Sequence, residues 1–222
     1  VDGWSFDNYL DSQRDIWRYV ANTFGIGLSA LVILVIVAVL IAYLTVRRKG
    51  TLSNILDTMT MLPYVVPGLI IGIALITAFS QGPVVLTGSA FIMVLALMIR
   101  RLPYSVRSTT ALMYQLNPSI EEAAMSLGAS KFTTLVRIIV PALAPGILSG
   151  AVLSWVTIIT ELSTTLFLYN TSTQTLSLGI YAEVIRGQLG TAAALSTILL
   201  VLTMLSLILL MRMPGGQKDL KV

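Results

Sequence analysis

Residues 26–46 run for 21 positions without a charged side chain or a proline, from Ile26 to Val46, and stop at Arg47-Arg48-Lys49-Gly50. At a rise of about 1.5 Å per residue, a helix of this length spans about 31 Å, the thickness of a bilayer's hydrocarbon core. Water offers such a helix no favourable face, so the chain is read as a membrane protein. Composition agrees: only 11% of the 222 residues are charged and 56% are hydrophobic, whereas soluble domains carry roughly 25% charge.

Four further segments approach the same length. They are Ile55 to Phe79, interrupted by Pro63, Pro67 and Gly68; Val84 to Ile99, continuing as a more polar helix through Arg100, Arg101 and Arg107; Ile138 to Leu168, with Pro141, Pro145, Gly146 and Gly150 in its first half; and Ala192 to Met211. The expected fold is all-α and integral to the membrane, with about five transmembrane helices in a single domain over residues 1–222. The prolines and glycines have two readings: a kink that bends during gating, because proline removes a backbone hydrogen bond, or close packing through small residues.

Orientation follows from the basic residues. Arg47, Arg48, Lys49, Arg100, Arg101, Arg107, Lys131, Arg137, Arg212, Lys218 and Lys221 fall on one side of a five-pass arrangement, eleven of the fourteen Lys and Arg. The positive-inside rule makes that side cytoplasmic. The N-terminus is then outside, residues 101–137 form a cytoplasmic segment, and 212–222 a cytoplasmic tail. Residues 1–21 mix Trp4, Phe6, Tyr9, Trp17 and Tyr19 with Asp7, Asp11 and Asp15. They read as an extracytoplasmic interfacial helix or as a docking surface for a partner outside. The start at Val1 suggests part of a longer chain, although a trimmed separate subunit would look the same.

Residues 117–141 carry the most specific pattern. Asn117-Pro118 is a helix start with proline at the first helical position; Ser119 and Glu122 could instead form a capping box. Gly128 is placed to end the helix in the left-handed conformation. Read physically, this is a short helix, Ile120 to Leu127, between two membrane helices, with Ala123 and Ala124 as a bare patch. An ordinary inter-helix connection fits that description too. However, Glu122-Ala123-Ala124, Gly128 after three residues, and Ile138-x-Val140-Pro141 after nine more resemble the EAA motif of ABC importer permeases. Val140 stands where leucine is commoner in the family. Arg101-Leu102-Pro103-Tyr104 resembles the family's approach to this helix. Leu176-Ser177-Leu178-Gly179-Ile180-Tyr181, with Gly187 and Ala192-Ala193-Ala194, is similar to permeases for ferric iron, thiamine and polyamines. Glu161-Leu162-Ser163-Thr164-Thr165-Leu166 resembles the ferric-iron group most.

The resemblance implies a type I ABC importer permease fold, most like the C-terminal half of a ferric-iron permease. It implies that the short helix is a coupling helix docking on an ATP-binding subunit through Glu121, Glu122, Ala123, Ala124, Leu127 and Gly128. The further implied partners are a second homologous permease half and an extracytoplasmic binding protein in a bacterial inner membrane. ATP and Mg would be held by the ATPase subunit. No enzymatic activity is expected of this chain. It has no cysteine or histidine, no phosphate-binding loop of the Gly-x-x-x-x-Gly-Lys type, no metal-ligand spacing and no nucleic-acid surface.

Glu161 is the one acid expected well inside a membrane helix. Insertion scales charge at least ~2.5 kcal/mol for such a residue, so it should face a protein interior or a wet cavity. Ser154, Thr157, Glu161 and Thr165 recur at helical spacing, and Ser163 and Thr164 widen the stripe. The stripe is expected to line the substrate path, with Glu161 attracting a cation or holding a gate. A structural glutamate bonded to a neighbouring helix is the other reading. The rival functions are the same machinery with thiamine, a polyamine or an inorganic anion as cargo, and a secondary transporter that needs no ATPase.

Overall fold

The computed structural model describes residues 7–11, 13–48, 50–81 and 83–212. Trp4, Phe6, Lys49 and the tail 213–222 with Lys218 and Lys221 lie outside the described residues, as does part of the Asp7–Asp11–Asp15 face. Regular structure within the described residues is helical. Helix α1 (Asp7–Asp11) precedes α2 (Gln13–Arg47), and α3 (Thr51–Val65) and α4 (Gly68–Phe79) follow. Then come α5 (Ala90–Gln115), the short α6 (Ser119–Ser126), α7 (Lys131–Thr134), a π-helical turn (Leu135–Ile139), and α8 (Val140–Ala142). Helices α9 (Ala144–Ile159), α10 (Leu176–Ile185) and α11 (Leu189–Met211) complete the order.

Two of these, α2 over Asp15–Arg47 and α11, are each long and apolar enough to cross a membrane. Two bent pairs qualify if each is counted as one span: α3 with α4, and Lys131–Ala142 with α9. Helix α5 adds a fifth rod of 26 residues.

The bends have local causes. Between α3 and α4 the axis turns by 113°. Pro67 cannot donate an N–H, and its ring pushes the preceding residue out of the helical region; Val66 is extended at φ −75°, ψ 127°. Pro63, by contrast, stays inside α3. The chain turns by 70° before α9. There Pro141 and Pro145 each remove a helical donor, and the π-helical turn just before them widens the ladder, with Val140 N–H reaching Leu135 O.

The fourth expected segment, Ile138 to Leu168, is not one helix. Helix α9 ends at Ile159, and residues 160–175 are turns and irregular chain. The cause is a local competition: the Glu161 carboxylate takes the backbone N–H of Thr164 at 3.0 Å, and Thr165 Oγ1 donates to Leu162 O at 3.1 Å. Short-range bonds of this kind offer the backbone an alternative to the helical ladder.

The core lies where α2, α5 and α9 meet. Ile26, Ala30 and Leu34 of α2 pack with Ile92, Met93, Ala96 and Leu97 of α5 and with Trp155 and Ile158 of α9, and Ile71 and Leu75 of α4 close one side. The Trp155 indole donates to Ser206 Oγ of α11 at 2.8 Å. Helix α11 turns Leu200, Met204, Leu205, Ile208 and Leu209 outward. Such a face is out of place in water and neutral against lipid or another apolar helix.

The molecule has two poles. At one, Asn22 of α2 donates to Ser172 O and Gln174 O, and Thr23 Oγ1 accepts the Leu176 N–H at 2.9 Å. At the other, Arg47 at the end of α2 donates to Leu116 O at 3.0 Å and pairs with Glu121 of α6. The short helix therefore sits at the same pole as Arg47 and Arg48.

Candidate functional site

Helix α6 forms as its sequence dictates. Of the two starts open to the sequence, the structure takes the first: Asn117 Oδ1 accepts the Ser119 N–H at 3.0 Å, and Pro118 already has helical angles of −55° and −27°. At the far end Gly128 takes φ +89°. Its N–H reaches Met125 O at 3.0 Å, and Ala129 N–H reaches Ala124 O at 3.0 Å. This pair of bonds is the Schellman closure, which needs a residue free to adopt the left-handed region.

Two faces of α6 then differ. Glu121 points inward, accepts the Tyr43 hydroxyl at 3.3 Å and pairs with Arg47; Ala124 is buried. Glu122, Ala123 and Gly128 are exposed, and Leu127 is 91% exposed. Phe132, just beyond, is 74% exposed. One face is thus anchored to α2, and the other presents apolar side chains to the outside. Of the six residues expected to dock, Glu122, Ala123, Leu127 and Gly128 are on the open face, while Glu121 and Ala124 are on the anchored one.

The second cluster surrounds Glu161, whose side chain is 3% exposed. Its Oε1 accepts from Ser163 Oγ at 2.7 Å, Thr164 N–H at 3.0 Å and Thr164 Oγ1 at 3.0 Å. Its Oε2 pairs with Arg101 and lies 3.3 Å from Arg100 Nε. Arg100 also donates to Val66 O at 3.1 Å, at the break between α3 and α4. The carboxylate is fully engaged, and one negative charge faces two positive ones.

Arg100 and Arg101 are grouped by sequence with the cytoplasmic basic residues, at the edge of the segment taken as 101–137. In the structure they lie within α5, about 15–17 Å from its first residue at 1.5 Å per residue, and turn toward Glu161. A buried carboxylate needs compensating charge, and these guanidiniums supply it. Ser154 is one step away: its Oγ is 3.1 Å from Ser105 Oγ and 3.4 Å from Arg101 O. Thr157 bonds back to its own helix at Leu153 O and Ser154 O. Thr164 joins the cluster, whereas Thr165 bonds only locally. The expected stripe is therefore two pieces: Ser154 and Thr157 on α9, and Glu161, Ser163 and Thr164 in the irregular chain after it. Elsewhere a groove of about 440 Å³ opens between α3, α5 and α9, lined by Met61, Tyr64, Tyr104 and Arg107 among others.

Sequence reasoning missed Tyr43 and Arg47 as anchors of Glu121, and Arg100 and Arg101 as partners of Glu161. The signal for the arginines was available. They follow an apolar run, Val84 to Ile99, only 16 residues long, short for a span of about 20, so a helix crossing there would have to extend through them.

A family model described as binding-protein-dependent transport system inner membrane component matches residues 34–213. The chain belongs to this family. Proteins similar to this chain include the ferric transport system permease protein FbpB of Actinobacillus pleuropneumoniae, 34% identical over 188 residues, 85% of this chain and 27% of that protein. The chain thus spans about a quarter of the length of that relative and of its putative Haemophilus influenzae counterpart. A putative 2-aminoethylphosphonate transport system permease protein, PhnV of Salmonella typhimurium, is 28% identical over 97% of this chain and 83% of its own length. Among solved structures, a bacterial ABC transporter involved in import of the acidic polysaccharide alginate matches with a TM-score of 0.75 at 17% identity, over 95% of this chain and 83% of that one. That likeness supports the type I importer permease fold.

Proposed function

We propose that this chain is the transmembrane permease part of an ATP-driven importer, coupled through α6 to a separate ATP-binding subunit. The observation that carries the reading is α6 itself: a short helix closed at both ends, anchored on one face by Glu121 to Arg47 and Tyr43, and open on the other through Ala123, Leu127 and Gly128. Anchoring transmits a displacement of α6 to α2, and the open apolar face gives a partner something to hold. ATP and Mg belong to that partner. A second permease half and an extracytoplasmic binding protein complete the assembly, with the α6 pole cytoplasmic and the Asn22 pole outside.

Ferric iron is the proposed cargo, supported by the two FbpB relatives. The PhnV relatives favour a second reading, the same machine with a small anionic cargo. The Glu161 cluster bears on this choice, because its carboxylate is occupied by two arginines and so is not a ready ligand for a bare cation. Its role in the proposed pathway is to hold a gate rather than to bind cargo.

The test is uptake by proteoliposomes holding the full-length permease, its ATPase subunit and its binding protein, with radiolabelled ferric iron as probe. ATP-dependent uptake that excess 2-aminoethylphosphonate leaves unchanged is expected. Uptake without ATP would replace this reading with that of a secondary transporter. ATP-dependent uptake of the phosphonate, with none of iron, would keep the machine and change the cargo.

A further inference from the structure

We infer that Arg100 and Arg101 are positioning residues that hold Glu161 in a latch joining the two broken spans, and that this latch opens in each transport cycle. The inference rests on the chain being an ATP-driven permease.

Three pieces of chain meet at the cluster. Arg100 and Arg101 come from the middle of α5. Glu161, Ser163 and Thr164 come from the irregular chain where α9 stops. The third piece is the α3–α4 break, where Val66 O accepts from Arg100 at 3.1 Å and Gly68 begins α4. Gly68 has no room for a side chain: a Cβ there would lie 2.5 Å from Ser163 Oγ, 2.5 Å from Thr164 Oγ1 and 2.8 Å from Arg100 Cζ. One turn later, a Cβ on Gly72 would lie 2.6 Å from Thr164 O. The first turn of α4 thus seats directly on the segment that carries Glu161, and Arg100 touches both.

Ionic groups are a poor choice for a joint that stays shut. Burying a carboxylate and two guanidiniums costs desolvation, and well-packed apolar side chains of similar volume usually hold as well or better. The balance changes if the joint must open to water. Apolar faces then lose their contacts and gain nothing, whereas charged groups regain hydration. An ion cluster therefore suits a contact that alternates between dry and closed and wet and open. Both strands of the cluster lead to the α6 pole: α5 runs into α6 through Leu116, Asn117 and Pro118, and α9 departs from it through α7 and α8. A displacement of α6 is thereby carried to both sides of the latch.

This chain has no cysteine of its own, so a pair of introduced cysteines has no competing thiol within it. The closeness of Gly68 and Ser163 suits a disulfide, whose Cβ atoms sit about 3.5–4.5 Å apart. We would place Gly68→Cys with Ser163→Cys in the full-length permease, reconstituted with its ATPase subunit and binding protein, and compare uptake before oxidation, after it, and after reduction. Expected is at least a tenfold loss on oxidation, restored by reductant, with no such response from the same assembly lacking the two substitutions. Equal uptake by the oxidised and reduced variant would overturn the latch. Should the crowded site prevent assembly of that variant, Arg100→Gln decides. It leaves Arg101 against Glu161 and cuts the tie to Val66. Hydrolysis without cargo should rise at least threefold and cargo moved per ATP should fall as much, with partial recovery in Arg100→Lys. An unchanged ratio would overturn the proposal. Absence of ATP-dependent uptake by the unmodified assembly would instead remove the permease reading on which it rests.

Discussion

At the residue scale the charge arithmetic around Glu161 is asymmetric. Removing the carboxylate leaves two part-buried guanidiniums facing each other, while removing Arg101 leaves Arg100 paired one to one with Glu161. Stranding a buried charge costs about 3–5 kcal/mol. Glu161→Gln should therefore lower the thermal stability of the purified permease clearly more than Arg101→Gln does, in unfolding followed by tryptophan fluorescence. Equal losses would mean that the two arginines do not share one carboxylate. Glu161 was legible in the sequence as an acid in the wrong solvent. Its partners were not, because helical spacings of three and four reach only residues of its own helix. The partners come from α5, 60 residues earlier in the chain, and only tertiary packing brings them close.

At the element scale, helix ends decided what could be read. The bounds of α6 were legible because Asn117, Pro118 and Gly128 act on their own neighbours. The end of α9 was not, since residues 160–168 hold no proline or glycine to stop a helix, and it stops where Glu161 turns to bond Thr164 and the arginines. The kink at Pro67 was legible in kind, and its 113° size was not, because the angle depends on where α4 seats. That seating gives a paired prediction. Gly25 lies in α2 with nothing within 4 Å of a Cβ placed there, so Gly25→Ala should raise stability by up to about 1 kcal/mol, the usual gain for glycine to alanine inside a helix. Gly68→Ala drives a methyl into Ser163, Thr164 and Arg100 and should cost about 1–3 kcal/mol. Denaturation of the two variants in the same detergent checks the sign of each.

At the scale of the whole molecule, the two poles and the basic residues agree. Arg47, Arg48, Lys131 and Arg137 gather at the α6 pole, while Arg100 and Arg101 leave the count because Glu161 holds them within α5. We propose the α6 pole as the cytoplasmic one, because the remaining basic residues still favour that side. With no cysteine among these 222 residues, single substitutions in a full-length permease cleared of any other cysteine test it directly. Gln188→Cys should react with a membrane-impermeant maleimide in intact cells, and Lys131→Cys only after permeabilisation; the reverse pattern would invert the topology. Helix α6 is proposed to pass force from an ATP-binding subunit into the membrane. The most direct measurement is co-purification of the full-length permease with that subunit, with and without Ala123→Glu on the open face of α6. A stable complex that Ala123→Glu abolishes, while the variant still inserts and purifies alone, is the predicted result. A complex indifferent to that substitution would contradict it.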